Sequence, residues 1–306
     1  MRELLDTVCR DSETGSASPR HQAIVGAASG GSVYERAEYL AASARHVGAA
    51  VEVVQEGQAT FPLLRYPDGS LRTVYGLPRP YGSTEVAAIR GLRDGLRRRG
   101  WRLTAILSPF EPGPALATEL CARGAHLLGE RPICIAELAP DNPQRPFHSR
   151  AARAIGTAAK RGATAEVSPL TPWFGAFYRA AMVELAAEPV YFFADEYFHA
   201  LADLPHYQVT VSDQSGPAAG ALFLHDDDEA YYHLGARRAR PQAVVGAMSM
   251  ALGEGICEAR RRGCRVAILG GGRTDALDDP LYTFKQQLAT RVQLRHAVQL
   301  DGGGER

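Results

Sequence analysis

The sequence predicts a mixed α/β (α+β) protein built as tandem domains, each a mixed, mostly antiparallel sheet flanked by helices. Three observations carry this. Short runs with apolar residues at every second position alternate with longer runs in which they recur every three or four residues. Two polar stretches, Asp213-Gln214-Ser215-Gly216-Pro217 and His225-Asp226-Asp227-Asp228, join three strand-like runs into a meander. Finally, Ala139-Pro140-Asp141-Asn142-Pro143-Gln144-Arg145-Pro146 holds three prolines that neither a helix nor a central strand tolerates, which sets a linker there. With 306 residues the chain is long enough for two cores, since domains run about 100–200 residues. The expected division is a loose arm over 1–30, a first domain over 31–139, a linker over 140–148 and a second domain over 149–306.

The arm is rich in Ser, Gly and Thr. In the first domain the pattern predicts a helix over 33–46, strands over 50–54, 60–64 and 71–75, a helix over 85–98, a strand over 102–107, a helix over 114–123 and a strand over 133–138. The second domain begins with a helix over 149–161 stopped by Gly162, then a strand over 164–167. Thr171-Pro172 opens a helix whose buried stripe is Phe174, Phe177, Ala181 and Leu185, with proline at a favoured first position. A shorter helix over 195–204 leads to strands over 207–212, 218–224 and 229–234. A long helix carries Val244, Met248, Leu252, Ile256 and Ala259 on one face and stops at Gly263. A strand over 265–269 and a helix over 281–292, capped by Asp279 with Pro280 next, complete the pattern. The halves repeat an order of elements, without repeating a sequence.

Net charge is zero, so no global basic field exists to grip a long duplex by counterion release. DNA is therefore not an expected partner, and contact with RNA must be local. No apolar stretch approaches the roughly 18 residues of a membrane span, and the N-terminus lacks a signal-peptide pattern. A cytoplasmic setting is expected. Cys9, Cys121, Cys134, Cys257 and Cys264 fit no metal spacing and read as reduced, buried thiols; neither metal nor cofactor is expected.

The most informative stretch is Leu269-Gly270-Gly271-Gly272-Arg273, a strand-to-helix joint, followed by the helix that carries Phe284-Lys285. Arginine supplies 32 of the 34 basic residues and lysine only two, Lys160 and Lys285. A composition that replaces lysine nearly everywhere has kept one here. An ammonium is a compact point charge suited to a phosphate or a developing oxyanion, whereas a guanidinium prefers planar partners. Phe284 falls on a Leu281, Phe284, Leu288, Val292 stripe, which puts Lys285 at the edge of the buried face, able to reach a cleft without being buried. The three glycines lack the spacing of a nucleotide-binding P-loop.

The order of the second domain is that of the GNAT (N-acetyltransferase) fold. Several patches resemble the Fem-type (FemXAB) aminoacyltransferases, tandem-GNAT proteins that move an amino acid from aminoacyl-tRNA to an amine. They are residues 150–162; Phe177-Tyr178 followed by Tyr191-Phe192-Phe193 and Glu196-Tyr197-Phe198; Tyr231-Tyr232-His233-Leu234-Gly235-Ala236; and Gly270-Gly271-Gly272 through Phe284-Lys285. In the first domain Tyr75-Gly76-Leu77-Pro78 and Ser108-Pro109 match loosely, and the coiled-coil arm of some members is missing. The resemblance implies a catalytic group of Lys285, Phe284, His233 and Tyr232, with Lys285 neutralising phosphate or transition-state charge and the Tyr232 strand offering backbone N–H groups to an oxyanion. His233 is the candidate general base, against a purely structural role for a lone strand histidine.

Donor phosphate is expected at Arg237, Arg238 and Arg240, which flank a helix start, and at Gly271, Gly272 and Arg273. Acceptor contacts are expected at Arg150, Tyr178, Tyr75 and Tyr81. Residues 237–241 do not fit the Gln/Arg-x-x-Gly-x-Gly/Ala signature of CoA binding, and Gly246 sits too far along the predicted helix to supply its loop glycine. The expected activity is therefore amide formation from aminoacyl-tRNA, gripped at its acceptor end, onto a small-molecule amine such as a specialised-metabolite precursor. An acyl-CoA N-acyltransferase and a non-catalytic double-GNAT binding protein remain as alternatives.

Overall fold

Strand pairing runs unbroken across both halves of the chain. The computed structural model describes residues 32–56, 59–74, 92, 94–110, 113–138, 147–238 and 244–301; Tyr75, Tyr81, Arg240 and most of the expected linker lie outside them. Helices are α1 (Ala37–His46), α2 (Gly113–Ala122), α3 (Ser149–Lys160), α4 (Pro172–Glu184), α5 (Asp195–Ala202), α6 (Ala247–Arg261) and α7 (Pro280–Gln286). Strands are β1 (Ala50–Glu56), β2 (Ala59–Arg65), β3 (Leu71–Arg72), β4 (Arg102–Ile106), β5 (His126–Glu137), β6 (Thr164–Ser168), β7 (His206–Asp213), β8 (Gly216–His225), β9 (Glu229–Arg237), β10 (Val266–Gly270) and β11 (Arg291–Asp301).

They form one 11-stranded sheet in the order β1-β2-β3-β4-β11-β5-β10-β9-β8-β7-β6. Only the β3/β4 and β9/β10 pairs are parallel. The fold is thus the expected mixed, mostly antiparallel sheet flanked by helices, with a single sheet spanning both halves. β5 joins them, pairing with β11 on one side and β10 on the other.

Alternation along the strands sorts side chains onto two faces. One, the α4 face, packs Ile133, Ile135, Leu222, Tyr231, Leu234 and Ile268 against α1, α4 and α5. The other, the α6 face, packs Cys134, Phe223, Ala230, Ala267 and Leu269 against α3, α6 and Tyr282 of α7. Toward the N-terminal end, α2 and the helical turn around Leu96 cover β4 and the Val298 end of β11.

Beyond shifts of strand ends, the longest of them at β5, which begins at His126 and not at 133, three elements differ from the sequence reading. The last helix ends at Gln286 instead of 292, and residues 291–301 are a strand. Thr290 is drawn to the sheet, its N–H donating to the Ile135 carbonyl at 2.8 Å while its hydroxyl accepts from the Glu137 N–H at 2.9 Å. Period-two Val292, Leu294, Val298 and Leu300 then continue as β11. α7 buries Tyr282 and Lys285, each one residue on from the predicted Leu281 and Phe284, while Leu288 just after it is buried as predicted. Finally, α6 starts at Ala247 with Gly246 as its N-cap at φ 92°, so Gly246 belongs to the loop and not to the helix interior.

Candidate active site at the opening between β9 and β10

The parallel β9/β10 ladder is short, pairing Glu229 with Val266, Ala230 with Ala267 and Tyr231 with Ile268. Beyond Tyr231 the edge of β9 that faced β10 has no strand partner among the described residues, so the two strands part there. Lys285 lies at that point. It is 7% exposed, contrary to the expectation that it would reach a cleft from the rim. Its Nζ donates to the Gly271 carbonyl at 2.8 Å and lies 5.3 Å from the centre of the Tyr232 ring. A cation over an aromatic face is attracted by the ring quadrupole, more so away from water. Burial lowers the ammonium pKa to about 8; the neighbouring Cys134 and Asp279 oppose that shift, while Arg295 and Arg131 add to it. Lys285 therefore remains mainly protonated at neutral pH.

The loop before α7 is organised by Asp279. One carboxylate oxygen accepts from the Leu281 and Tyr282 N–H groups at 2.9 and 3.1 Å, and the other from the Arg273 and Thr274 N–H groups at 3.1 Å each. Desolvation raises the Asp279 pKa, but the four backbone donors outweigh it and the net shift is downward. A Cβ at Gly272 would meet the Asp279 carboxylate at 2.6 Å, and one at Gly271 the Pro132 carbonyl at 2.7 Å. The glycines let this loop close around Asp279 and β5, bringing the Gly271 carbonyl to Lys285. Arg273 presents its backbone inward, and the residue itself is exposed. Arg131 of β5 is tied to Asp275 in the same loop at 2.7 Å. Cys134, a free thiol, sits opposite Gly270 in the β5/β10 register, and burial pushes its pKa to about 11.

The structure brings Lys285, Tyr232, Gly271 and Gly272 together and sets other expected groups apart. Phe284 is half-buried against the α6-face core. Tyr178 is buried on the α4 face, stacked on Phe174, so it is core, not an open acceptor contact. Arg150 is exposed in the first turn of α3, on the other side of the sheet from Tyr178. His233 also lies on the α4 face, across the sheet from Lys285, hydrogen-bonded to Tyr34 and Tyr197. Burial drives its pKa down to about 3, which leaves a neutral ring away from the gap and not the expected base.

Arg237 is exposed at the end of β9, about 16 Å beyond Tyr232 at strand spacing, on a cavity of about 250 Å³ lined also by Phe177, Ala181, Glu184 and Pro217. Arg238 lines it too, but pairs with the Asp213 carboxylate and donates to the Ser215 carbonyl at 3.1 Å. Asp213 is thus a partly buried, paired residue of the β7–β8 turn. Its pKa is lowered, first by the hydrogen bond from Arg238. Asp226 likewise accepts from the Asp228 and Glu229 N–H groups at 3.1 and 2.8 Å.

Sequence reasoning missed Arg131, because β5 was read as a shorter strand; it expected Cys134 to be a buried thiol but did not place it beside Lys285, and it missed Tyr34 and Tyr197 as partners for His233. Gly235 was legible in hindsight: a Cβ there would strike the Tyr232 hydroxyl at 2.0 Å, so Tyr-Tyr-His-Leu-Gly encodes a ring folded back over a glycine.

No family model matches the sequence, and no curated protein matches it. Among solved structures the chain is similar to FemX, with a TM-score of 0.62 at 14% identity over 84% of this chain and 90% of that one. It is similar to L-PGS from Bacillus licheniformis, with a TM-score of 0.61 at 13% identity over 94% and 93%. A tandem GNAT protein from the clavulanic acid biosynthesis pathway aligns with a TM-score of 0.51 at 16% identity over 84% and 85%. These likenesses show a GNAT-like fold. Among the described residues no helix is long and apolar enough to cross a membrane, and no group of three or more His, Cys, Asp or Glu residues is arranged to hold a metal ion.

Proposed function

We propose that this protein is an acyltransferase that forms an amide at the β9/β10 opening, with aminoacyl-tRNA as donor and a small-molecule amine as acceptor. The observation that carries the reading is a buried, charged lysine at the point where a strand edge loses its partner. The acceptor nitrogen attacks the ester carbonyl carbon, the C–N bond forms, and the C–O bond to the tRNA 3′ end breaks. The leaving hydroxyl takes up a proton and the amine gives one up. Backbone N–H groups of β9 beyond its ladder with β10 and the Lys285 ammonium face the oxyanion, where preorganised donors act most strongly. Arg237, at the end of β9 on a cavity shared with α4, is the described cation this reading assigns to donor phosphate. The structures of FemX and of L-PGS support an aminoacyl donor by likeness of fold. Work on a charged tRNA implies a cytoplasmic setting.

Gly246 favours a second reading. As a positive-φ N-cap of α6 it lies in the loop after β9, which relieves one of the two objections to CoA, its place in the helix, and the tandem GNAT protein shares the fold. Incubation with total charged tRNA or with acyl-CoAs, each with candidate amines, separates the two. Amine-stimulated deacylation of aminoacyl-tRNA is expected. Turnover of acyl-CoA alone makes the second reading correct, and binding without turnover of either leaves a non-catalytic binding protein.

A further inference from the structure

His233 is the extra residue of a bulge. In the β8–β9 register Leu222 faces Leu234 and Phe223 faces Tyr232, so His233 sits between two pairs with no opposite number. It is 4% exposed. Its Nδ1 lies 3.3 Å from the Tyr34 hydroxyl and its Nε2 2.9 Å from that of Tyr197. A neutral imidazole has one donor and one acceptor nitrogen, and a hydroxyl can answer either, so the two tyrosines satisfy the ring in both tautomers. Tyr197 also stacks on it, and Tyr39 meets it edge-on.

Tyr34 comes from a short 3-10 turn (Val33–Glu35) and Tyr197 from α5. That turn is itself fixed by a capping box, with the Ser32 N–H donating to Glu35 at 2.9 Å and the Tyr34 N–H to the Ser32 hydroxyl at 3.4 Å. In a regular strand Tyr232 and Leu234 would share a face. Here Tyr231 and Leu234 both pack on the α4 face, where His233 finds its tyrosines, and Tyr232 alone turns to Lys285.

We propose that His233 is a positioning residue: by bridging Tyr34 and Tyr197 it holds the β9 bulge, and through it the placement of Tyr232 and of the β9 segment that runs beyond the ladder with β10. The inference deepens the reading of that opening as the transfer site and rests on it for its catalytic consequence.

The test compares His233→Leu, which leaves both hydroxyls without the ring, with His233→Gln, whose amide offers a donor and an acceptor. Because an unsatisfied buried polar group shifts a local equilibrium by about tenfold or more, amide hydrogen exchange over residues 231–236 is expected to quicken by at least about that factor in the leucine variant. It should return toward wild type in the glutamine variant. With an active donor and amine, kcat should fall and recover in parallel, donor KM should hold, and the glutamine variant should keep the shape of the pH–rate profile. If His233→Leu does not fold, Tyr34→Phe and Tyr197→Phe serve the same comparison. Wild-type exchange in a folded His233→Leu overturns the proposal, as does a glutamine variant that stays slow and loses the acidic limb of the profile, the mark of a general base. If wild type turns over no donor, the reading of the opening fails, and the exchange data still decide whether His233 clamps the bulge.

Discussion

Tyr232 and His233 are neighbours in sequence, yet they meet two different buried environments, one on each face of the sheet. Desolvation works on both faces in the same direction, lowering Lys285 to about 8 and His233 to about 3. The outcomes are opposite at neutral pH. Lysine starts from a high intrinsic pKa and stays charged, whereas histidine starts near 6.5 and is held neutral. A buried charge is expensive to keep, and the one on the α6 face is the one the proposed transfer would use. The α4 face satisfies its polar ring with hydroxyls and spends it on shape.

The sharpest way to break this contrast is to remove the charge. Lys285→Ala is expected to cut transfer by about 10²-fold or more, the scale of losing one preorganised charge from a transition state. Lys285→Arg should rescue poorly, because a larger planar cation must fit between the Gly271 carbonyl and the Tyr232 ring. Single-turnover rates at saturating donor check both. Near-normal turnover in a folded Lys285→Ala protein would remove the lysine from the mechanism.

Stability should move the other way. Lys285 binds its proton more weakly folded than unfolded, so below about pH 8 the charged group opposes folding, and stability rises as pH climbs from about 8 toward the unfolded value near 10.4. The full shift corresponds to about 3 kcal/mol. Lys285→Met sheds that burden and loses one hydrogen bond of about 1 kcal/mol, so a net gain of about 2 kcal/mol at pH 7 is expected, together with loss of activity. Denaturant melts at pH 7 and pH 10 test it. A methionine variant less stable than wild type at pH 7 would make Lys285 a structural residue.

Much of this contrast was present in the sequence in one form and hidden in another. The meander, the capped start of α7 and the singular lysine were legible because each depends on near neighbours: turn residues, a cap, a composition bias. The α7 stripe was misread because Lys285 was set at the edge of the buried face, and a phase set by polarity fails where a polar residue is the buried one. β11 was hidden because its partners β4 and β5 are far away in the chain, and only pairing with them makes residues 291–301 a strand. The His233 clamp is likewise invisible to spacing, since Tyr34 and Tyr197 meet it only in the folded molecule. The glycine after it was the one local clue.

That glycine offers a finer test of the Tyr232 side. Gly235→Ala would set a methyl 2.0 Å from the Tyr232 hydroxyl, a clash the ring relieves by leaving Lys285. Overpacking of this kind costs about 1–3 kcal/mol, and transfer should fall about tenfold, the equivalent of about 1.4 kcal/mol. The double variant Gly235→Ala/Tyr232→Phe removes the clashing hydroxyl and should recover part of both losses. If it recovers neither, the methyl acts elsewhere and the Tyr232–Lys285 contact is not what Gly235 protects.

The smallest expected effect lies farthest from the contrast, at the far end of β9. Of the arginines after β9, Arg238 is occupied by Asp213 and the Ser215 carbonyl, which leaves Arg237, with Arg240 beyond the described residues, as the cations proposed there for donor phosphate. Replacing Arg237 and Arg240 together by alanine should weaken donor binding while leaving acceptor binding unchanged. If both touch phosphates of a single-stranded 3′ end, the slope of log K against log salt should shrink by about 0.7 per lost contact, about 1.4 in all. Arg238→Ala is the control: it should loosen the β7–β8 turn and lower stability with little change in that slope. A slope that responds to Arg238 and ignores Arg237 and Arg240 would reverse the assignment, placing the donor's phosphates over the Asp213 turn instead of along the gap that begins at Lys285.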